Sequence, residues 1–126
     1  MLFNIALNKP CYQSSRSKWS KPDESSLAVS NNFFGEFSFH TSEDDSPWWM
    51  IDLKCVYPVV EVRVHNIKTT NDLTLARARS LLVEISNDGE QWRTVYVNKN
   101  IFKFESECLK ILFEESIDAR FVRLRL

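Results

Sequence analysis

Apolar and polar residues alternate strictly over several short stretches of this chain. Val60, Val62 and Val64 are interleaved with Glu61, Arg63 and His65, a period of two that predicts a strand with one face buried and one face wet. Leu81, Val83 and Ile85 repeat the pattern, Asn87-Asp88-Gly89 follows, and a second apolar run extends from Trp92 to Val97. That order predicts a β-hairpin in which Gly89 supplies the backbone conformation a tight loop needs. Runs at Ile101–Phe104 and Leu109–Phe113 predict further strands, and Val122, Leu124 and Leu126 alternate with Phe121, Arg123 and Arg125 at the end. In another predicted strand Trp49, Ile51 and Leu53 share one face, the expected core face, which places Trp48 on the other.

The first 48 residues read differently. They are rich in Ser and Asn and are broken by Pro10, Pro22 and Pro47. This predicts long connecting loops, with one short helical turn near Asp23–Val29. No segment sustains an apolar period of 3.6, and the strands lack the spacing of βαβ units. Many short strands with these connections predict an all-β antiparallel sandwich. Such a scaffold gathers its loops at its ends, where function usually resides.

Composition narrows the picture. The chain has 126 residues, 44% of them hydrophobic, with nine Phe and four Trp. This suits a single domain over 1–126 with one core, either a whole protein or a piece of a larger one. Sixteen basic and 17 acidic residues leave a net charge of −1, which argues against a nucleic-acid partner, since phosphate binding needs clustered Lys and Arg. No apolar run approaches the about 18–20 residues of a membrane span, and no charged-then-apolar leader is visible. Cys11, Cys55 and Cys108 show no CxxC spacing. Three reduced thiols are the favoured reading, and one disulfide plus a free thiol is the alternative for an exported protein. The compartment stays open, with the cytoplasm favoured over secretion.

The residues do not ask for catalysis. The two histidines, His40 and His65, have no GxSxG elbow or glycine-rich phosphate loop to work with. His65 alternates with charged neighbours and is expected to face solvent. Two isolated histidines do not make a metal hydrolase site. Glu43, Asp44 and Asp45 follow His40 closely, yet a solvated acidic loop explains them without acid–base chemistry.

Four blocks occur in a telling order: Asn4-Ile5-Ala6-Leu7-Asn8-Lys9-Pro10 with Gln13-Ser14-Ser15; Phe39-His40-Thr41 leading to Pro47-Trp48-Trp49-Met50-Ile51-Asp52-Leu53; Val83-Glu84-Ile85-Ser86-Asn87-Asp88-Gly89-Glu90-Gln91-Trp92; and Ala119-Arg120-Phe121-Val122-Arg123-Leu124-Arg125-Leu126. Together they span essentially the whole chain. They resemble the discoidin domain family, the coagulation factor V/VIII C-terminal type, and within it the fucolectin-like carbohydrate-binding branch, which includes versions attached to bacterial glycan-related proteins. The resemblance implies an eight-stranded antiparallel jelly-roll β-sandwich, galactose-binding-domain-like, with a ligand site on the loops at one end. It implies binding without catalysis.

In the lectin-like members a histidine before the Pro-Trp-Trp strand and an arginine before the Val-x-Ile-Ser strand contact sugar hydroxyls. These positions match His40 and Arg77. A second family arginine follows an asparagine after the valine strand, but this chain has Asn66-Ile67 there, leaving Arg79 or Lys68 as stand-ins. The chemistry suits sugar: arginine offers five donors in a fixed fork, and neutral histidine a donor and an acceptor. Trp48 near His40 and Trp19 in the early loop are candidate apolar surfaces for sugar, and Glu43 completes the candidate set. Bland alternatives stand beside each: Trp48 as core, Arg77 in a surface salt bridge with Glu43 or Asp44, His40 pinning a loop.

Relatives hold a structural calcium in the loop that here reads Leu27-Ala28-Val29-Ser30-Asn31-Asn32. Ser30 stands at the family's aspartate, Asn32 is kept, Phe37 stands at a serine, and the glutamate ligand would fall after Leu126. Calcium wants about six to eight oxygens with carboxylate charge, so no tightly bound calcium and no other cofactor is expected. Three readings follow, in order. The first is a glycan-binding module tethering an attached or partner protein. The second is an assembly module with a degenerate sugar site, motivated by Ile67. The third is a phospholipid binder, motivated by Phe33, Phe34, Phe37 and Phe39 but opposed by Glu36, Glu43, Asp44 and Asp45.

Overall fold

The computed structural model describes residues 3–14, 46–66, 69–104 and 106–126. Five strands form one antiparallel sheet: β1 (Cys11–Gln13), β2 (Trp48–Val64), β3 (Leu82–Ser86), β4 (Arg93–Val97) and β5 (Leu109–Arg125), in the order β1-β2-β5-β3-β4. A short helix α1 (Asp72–Leu75) runs directly into a 3₁₀ turn (Ala76–Ala78) between β2 and β3. The all-β antiparallel expectation holds. Five strands rather than eight are found among the described residues, partly because runs that read as separate strands are continuous. Trp48–Leu53 and the valine run belong to one 17-residue strand, and Leu109–Phe113 and the terminal run to another.

These long strands bend where their register slips. Asp52 faces Phe121 but Tyr57 faces Ala119, so four residues of β2 bulge opposite Arg120. Lys54 takes a left-handed φ of 72° in that bulge. Asp52 Oδ1 accepts the Lys54 backbone N–H at 2.8 Å, which secures a conformation that non-glycine residues avoid. A second slip lies between Val59 and Glu61. Residues 113–116 of β5 stand there opposite Val60 alone, and the inward face of β2 changes across the slip. Val59 is buried before it, while Val62 and Val64 pack on the core after it, with Val60 at the slip.

One core fills the fold. Trp49, Ile51 and Leu53 lie in it with Val83, Ile85 and Val122 from the neighbouring strands, and with Val59, Leu109 and Ile111 from beyond the bends. At about 25 cal/mol per Å², burial on this scale is the main source of stability. The predicted hairpin is present, with its second strand beginning at Arg93. Ser86 Oγ accepts the Gly89 N–H at 2.9 Å, and Asp88 Oδ1 accepts those of Glu90 and Gln91 at 2.8 and 2.9 Å. Gly89 has φ 79°, and a β-carbon at this position would meet the Phe121 ring at 3.5 Å.

The expected strand at Ile101–Phe104 does not form. Phe102 is buried, but the segment's backbone is satisfied piecemeal: Lys103 N–H donates to Glu107 O, Asn66 N–H to Lys103 O, and Asn66 Nδ2 to Phe102 O. The apolar run marks burial without a ladder. The helical turn expected at Asp23–Val29 lies outside the described residues. The one at 72–78 is too short to show a period in sequence; its visible signal is Asn71, whose Oδ1 accepts the Leu73 and Thr74 N–H groups at 2.9 and 3.2 Å.

Candidate functional site

Cross-strand register brings Trp48, Arg125, Leu82 and Val97 into one row at one end of the sheet. Chain connections converge there. Ser14 N–H donates to Trp48 O at 2.9 Å and Trp48 N–H to Ser14 Oγ at 3.1 Å, and Leu126 N–H donates to Pro47 O at 3.0 Å. The 3₁₀ turn enters the same end through Arg79, Ser80 and Leu81. Trp49 is core, whereas half-buried Trp48 lies on the opposite face of β2.

The turn carrying Arg77 and Arg79 is clamped on three sides. Leu75, 0% exposed, anchors it in the interior. Asn66 Nδ2 donates to Leu75 O at 3.1 Å. Asn98, itself buried, donates from Nδ2 to Arg79 O at 2.9 Å and to Asn100 O at 2.7 Å, while its N–H reaches Leu81 O at 2.8 Å. Together with the Asn71 cap, three asparagine side chains hold the backbone, and the two arginine side chains remain exposed. Sequence reasoning missed this frame. Asn66 drew notice only because Ile67 follows it, and Asn98 carries no local signal.

Four of the described arginines are committed to carboxylates, whereas exposed Arg93, like Arg77 and Arg79, has no such partner among the described residues. Arg63 pairs with Glu61, Arg120 with Asp52, and Arg123 and Arg125 with Glu84. Arg77 and Arg79 are exposed and form no ion pair with a described residue; the alternative partners Glu43 and Asp44 lie outside the described residues. His40, Glu43 and Trp19 lie outside the described residues, as do Ile67, Lys68 and the calcium-loop positions Leu27, Ser30, Asn32 and Phe37. His65 is exposed as expected, yet its Nδ1 bonds the Phe104 carbonyl oxygen and its ring lies 5.7 Å from the Phe104 ring, a structural use.

No group of three or more His, Cys, Asp or Glu suited to a metal occurs among the described residues. Cys11, Cys55 and Cys108 form no disulfide with one another, and burial pushes the Cys11 thiol up to about 12, which disfavours its thiolate. No helix among the described residues is long and apolar enough to cross a membrane.

The antiparallel sheet, with exposed, backbone-clamped arginines at one loop-bearing end, defines an all-β domain. The chain belongs to the F5/8 type C domain family, which it matches over residues 11–126. A search of curated proteins returns no match. Among solved structures, it is similar to the lectin-binding domain of lectinolysin, in a mutant complexed with Lewis b, at 26% identity and TM-score 0.74, covering 100% of this chain and 86% of that one. It is similar to a Streptococcus pneumoniae fucose-binding module at 28% identity and TM-score 0.73, covering 99% and 87%. A fucolectin from striped bass (Morone saxatilis) serum aligns at 25% identity and TM-score 0.81, covering 98% of this chain and 43% of that one.

Proposed function

We propose that this domain is a non-catalytic carbohydrate-binding module that grips a glycan through the loops at the Trp48–Arg77 end of the sandwich. The observation that carries this reading is Arg77: an exposed guanidinium, with no ion pair to a described residue, on a turn held rigid by buried Leu75 and three asparagines. A pre-set fork of donors loses little entropy when it meets vicinal hydroxyls. The lectins and fucose-binding module to which the chain is similar support the same reading. His40 is the proposed second polar contact, and Arg79, Trp48, Glu43 and Trp19 are the further proposed ligand residues. Tethering an attached or partner protein to glycan is the proposed role.

A glycan array with wild type, His40→Ala and Arg77→Ala tests the proposal. Losing hydrogen bonds from a charged group costs about 1.5–3 kcal/mol, so Arg77→Ala is expected to bind about 10- to 150-fold more weakly. Arg77→Lys should recover only part, because the planar fork is lost. Wild type that binds no glycan, or Arg77→Ala that binds as wild type does, would sink the reading.

Binding is proposed to need no calcium, because Ser30 replaces the aspartate and Phe37 the serine of the family loop. Melting temperature is expected to be the same with and without low-millimolar calcium. A ligand bound only by the folded state must raise it, so a clear rise would overturn this expectation.

A further inference from the structure

The residue four positions before Arg77 is Leu73, and it is 84% exposed. Resting on the glycan-binding reading above, we infer that Leu73 is a specificity-determining contact: an apolar cover for the C–H face of the sugar whose hydroxyls Arg77 takes. Residues four apart on a helical turn lie on the same side, one above the other. Here α1 passes directly into the 3₁₀ turn, and the exposure of both Leu73 and Arg77 places them on the solvent side of one short helical segment. Leu75, between them, points the other way and is wholly buried. The solvent side of this segment therefore carries one branched apolar group, Leu73, with the cation Arg77, flanked by exposed Asp72 and Arg79.

A lone exposed leucine is ordinary on a protein surface. This one differs in its setting. The Asn71 side chain caps the backbone N–H groups of Leu73 and Thr74 at 2.9 and 3.2 Å, and Asn66 fixes the Leu75 carbonyl at 3.1 Å. The leucine is thus presented by a held backbone, and its position relative to Arg77 is set before any ligand arrives. A pyranose ring offers the matching pair of surfaces, hydroxyls at the edge and C–H groups on the face, and sugar sites combine placed polar groups with apolar walls. The ligand class this segment fits is a sugar that presents adjacent hydroxyls beside an uninterrupted C–H patch.

The test uses isothermal titration with the best-binding neoglycoconjugate from an array of L-fucose, D-galactose and N-acetyl-D-glucosamine conjugates. Covering part of a leucine side chain corresponds to about three- to tenfold in affinity. Leu73→Ala is expected to weaken binding by that factor and to make the binding heat-capacity change less negative. Leu73→Asp should weaken it further, and Leu73→Tyr, which restores a broad apolar surface, should bind at least as well as wild type. Melting temperatures of all three should match wild type. Unchanged affinity in Leu73→Ala and Leu73→Asp, with Arg77→Ala still weakened, overturns the Leu73 contact alone. A loss that tracks a lowered melting temperature assigns Leu73 to stability and also overturns it. Wild type that binds none of the conjugates removes both the contact and the glycan-binding reading beneath it.

Discussion

Glu84→Ala should lower the melting temperature by about 10–15 °C, corresponding to a loss of about 3–4 kcal/mol in a domain of this size. Glu84 is only 4% exposed, although it sits on the face of β3 opposite Val83 and Ile85. Two arginines from β5 cover it. Arg123 Nε donates to Oε1 at 3.0 Å and Arg125 Nη2 to Oε2 at 3.2 Å. Arg125 Nε lies 3.1 Å from Oε1, an ion pair, but it is buried without a well-aligned hydrogen bond. Removing the carboxylate leaves two cations together with no countercharge. Arg125 is the more exposed of the two and can turn outward; Arg123 cannot do so as readily, because its guanidinium is stacked 4.0 Å from the Trp92 ring centroid. Thermal unfolding of Glu84→Ala and of the double variant Glu84→Leu/Arg123→Met decides the cause. The double variant should regain much of the loss, since buried charges replaced together by apolar groups are often tolerated. A drop under about 3 °C for Glu84→Ala would show that the cluster carries little stability.

Asp52→Asn is expected to lose about 2–3 kcal/mol near neutral pH, and the difference from wild type should shrink in acid. Asp52, 5% exposed, receives both Arg120 Nε at 2.9 Å and Nη2 at 3.1 Å. The Arg120 hydrogen bonds hold its carboxyl below the usual carboxylate range, against the opposing effect of burial. The folded protein therefore binds this proton less readily than the unfolded chain does. Its stabilising contribution is complete above the unfolded pKa, about 3.9, and is lost as pH falls from there through the lower folded value. Wild type and Asp52→Asn melting curves should thus converge as pH drops below about 4. Parallel curves between pH 7 and 3 would show that the ionised carboxylate is not what stabilises the bend. Because the same carboxyl holds the left-handed Lys54, the asparagine variant retains an acceptor there and isolates the charge; Asp52→Ala should cost more.

These two ionic groups are linked across the outer face of the sheet. Arg123 stacks on Trp92, Trp92 meets Phe121 edge-on at 6.4 Å between centroids, and Arg120 lies 4.9 Å from the Phe121 centroid. Gly89 passes beneath Phe121. The motif Asn87-Asp88-Gly89 thus closes the hairpin and also supports this aromatic bridge. The alternation that put Phe121, Arg123 and Arg125 on a polar face in sequence is correct in direction. That face is nonetheless structural, and it stabilises the sheet whose end presents Arg77.

What the sequence alone determined is whatever depends on local geometry or on motif order. Strand alternation at Leu81–Ile85 and Val122–Leu124, the core face of Trp49-Ile51-Leu53, the Gly89 turn and the family all follow from it, whereas Leu126, read on the same face, lies past the strand and is exposed. Alternation is legible because successive side chains of any strand point to opposite faces, whatever the strand pairs with. Tertiary structure alone decided which arginines are committed to distant carboxylates. Arg120 meets Asp52 across 68 residues and Arg123 meets Glu84 across 39; only the β2–β5 and β3–β5 registers bring them together. The same holds for the slip at Val59–Glu61 that shifts the inward face, for the apolar run at Ile101–Phe104 in which Phe102 is buried without a strand forming, and for the Asn66 and Asn98 clamps on the Arg77 turn. Each depends on a partner distant in sequence, and one-dimensional periodicity carries no record of such pairings.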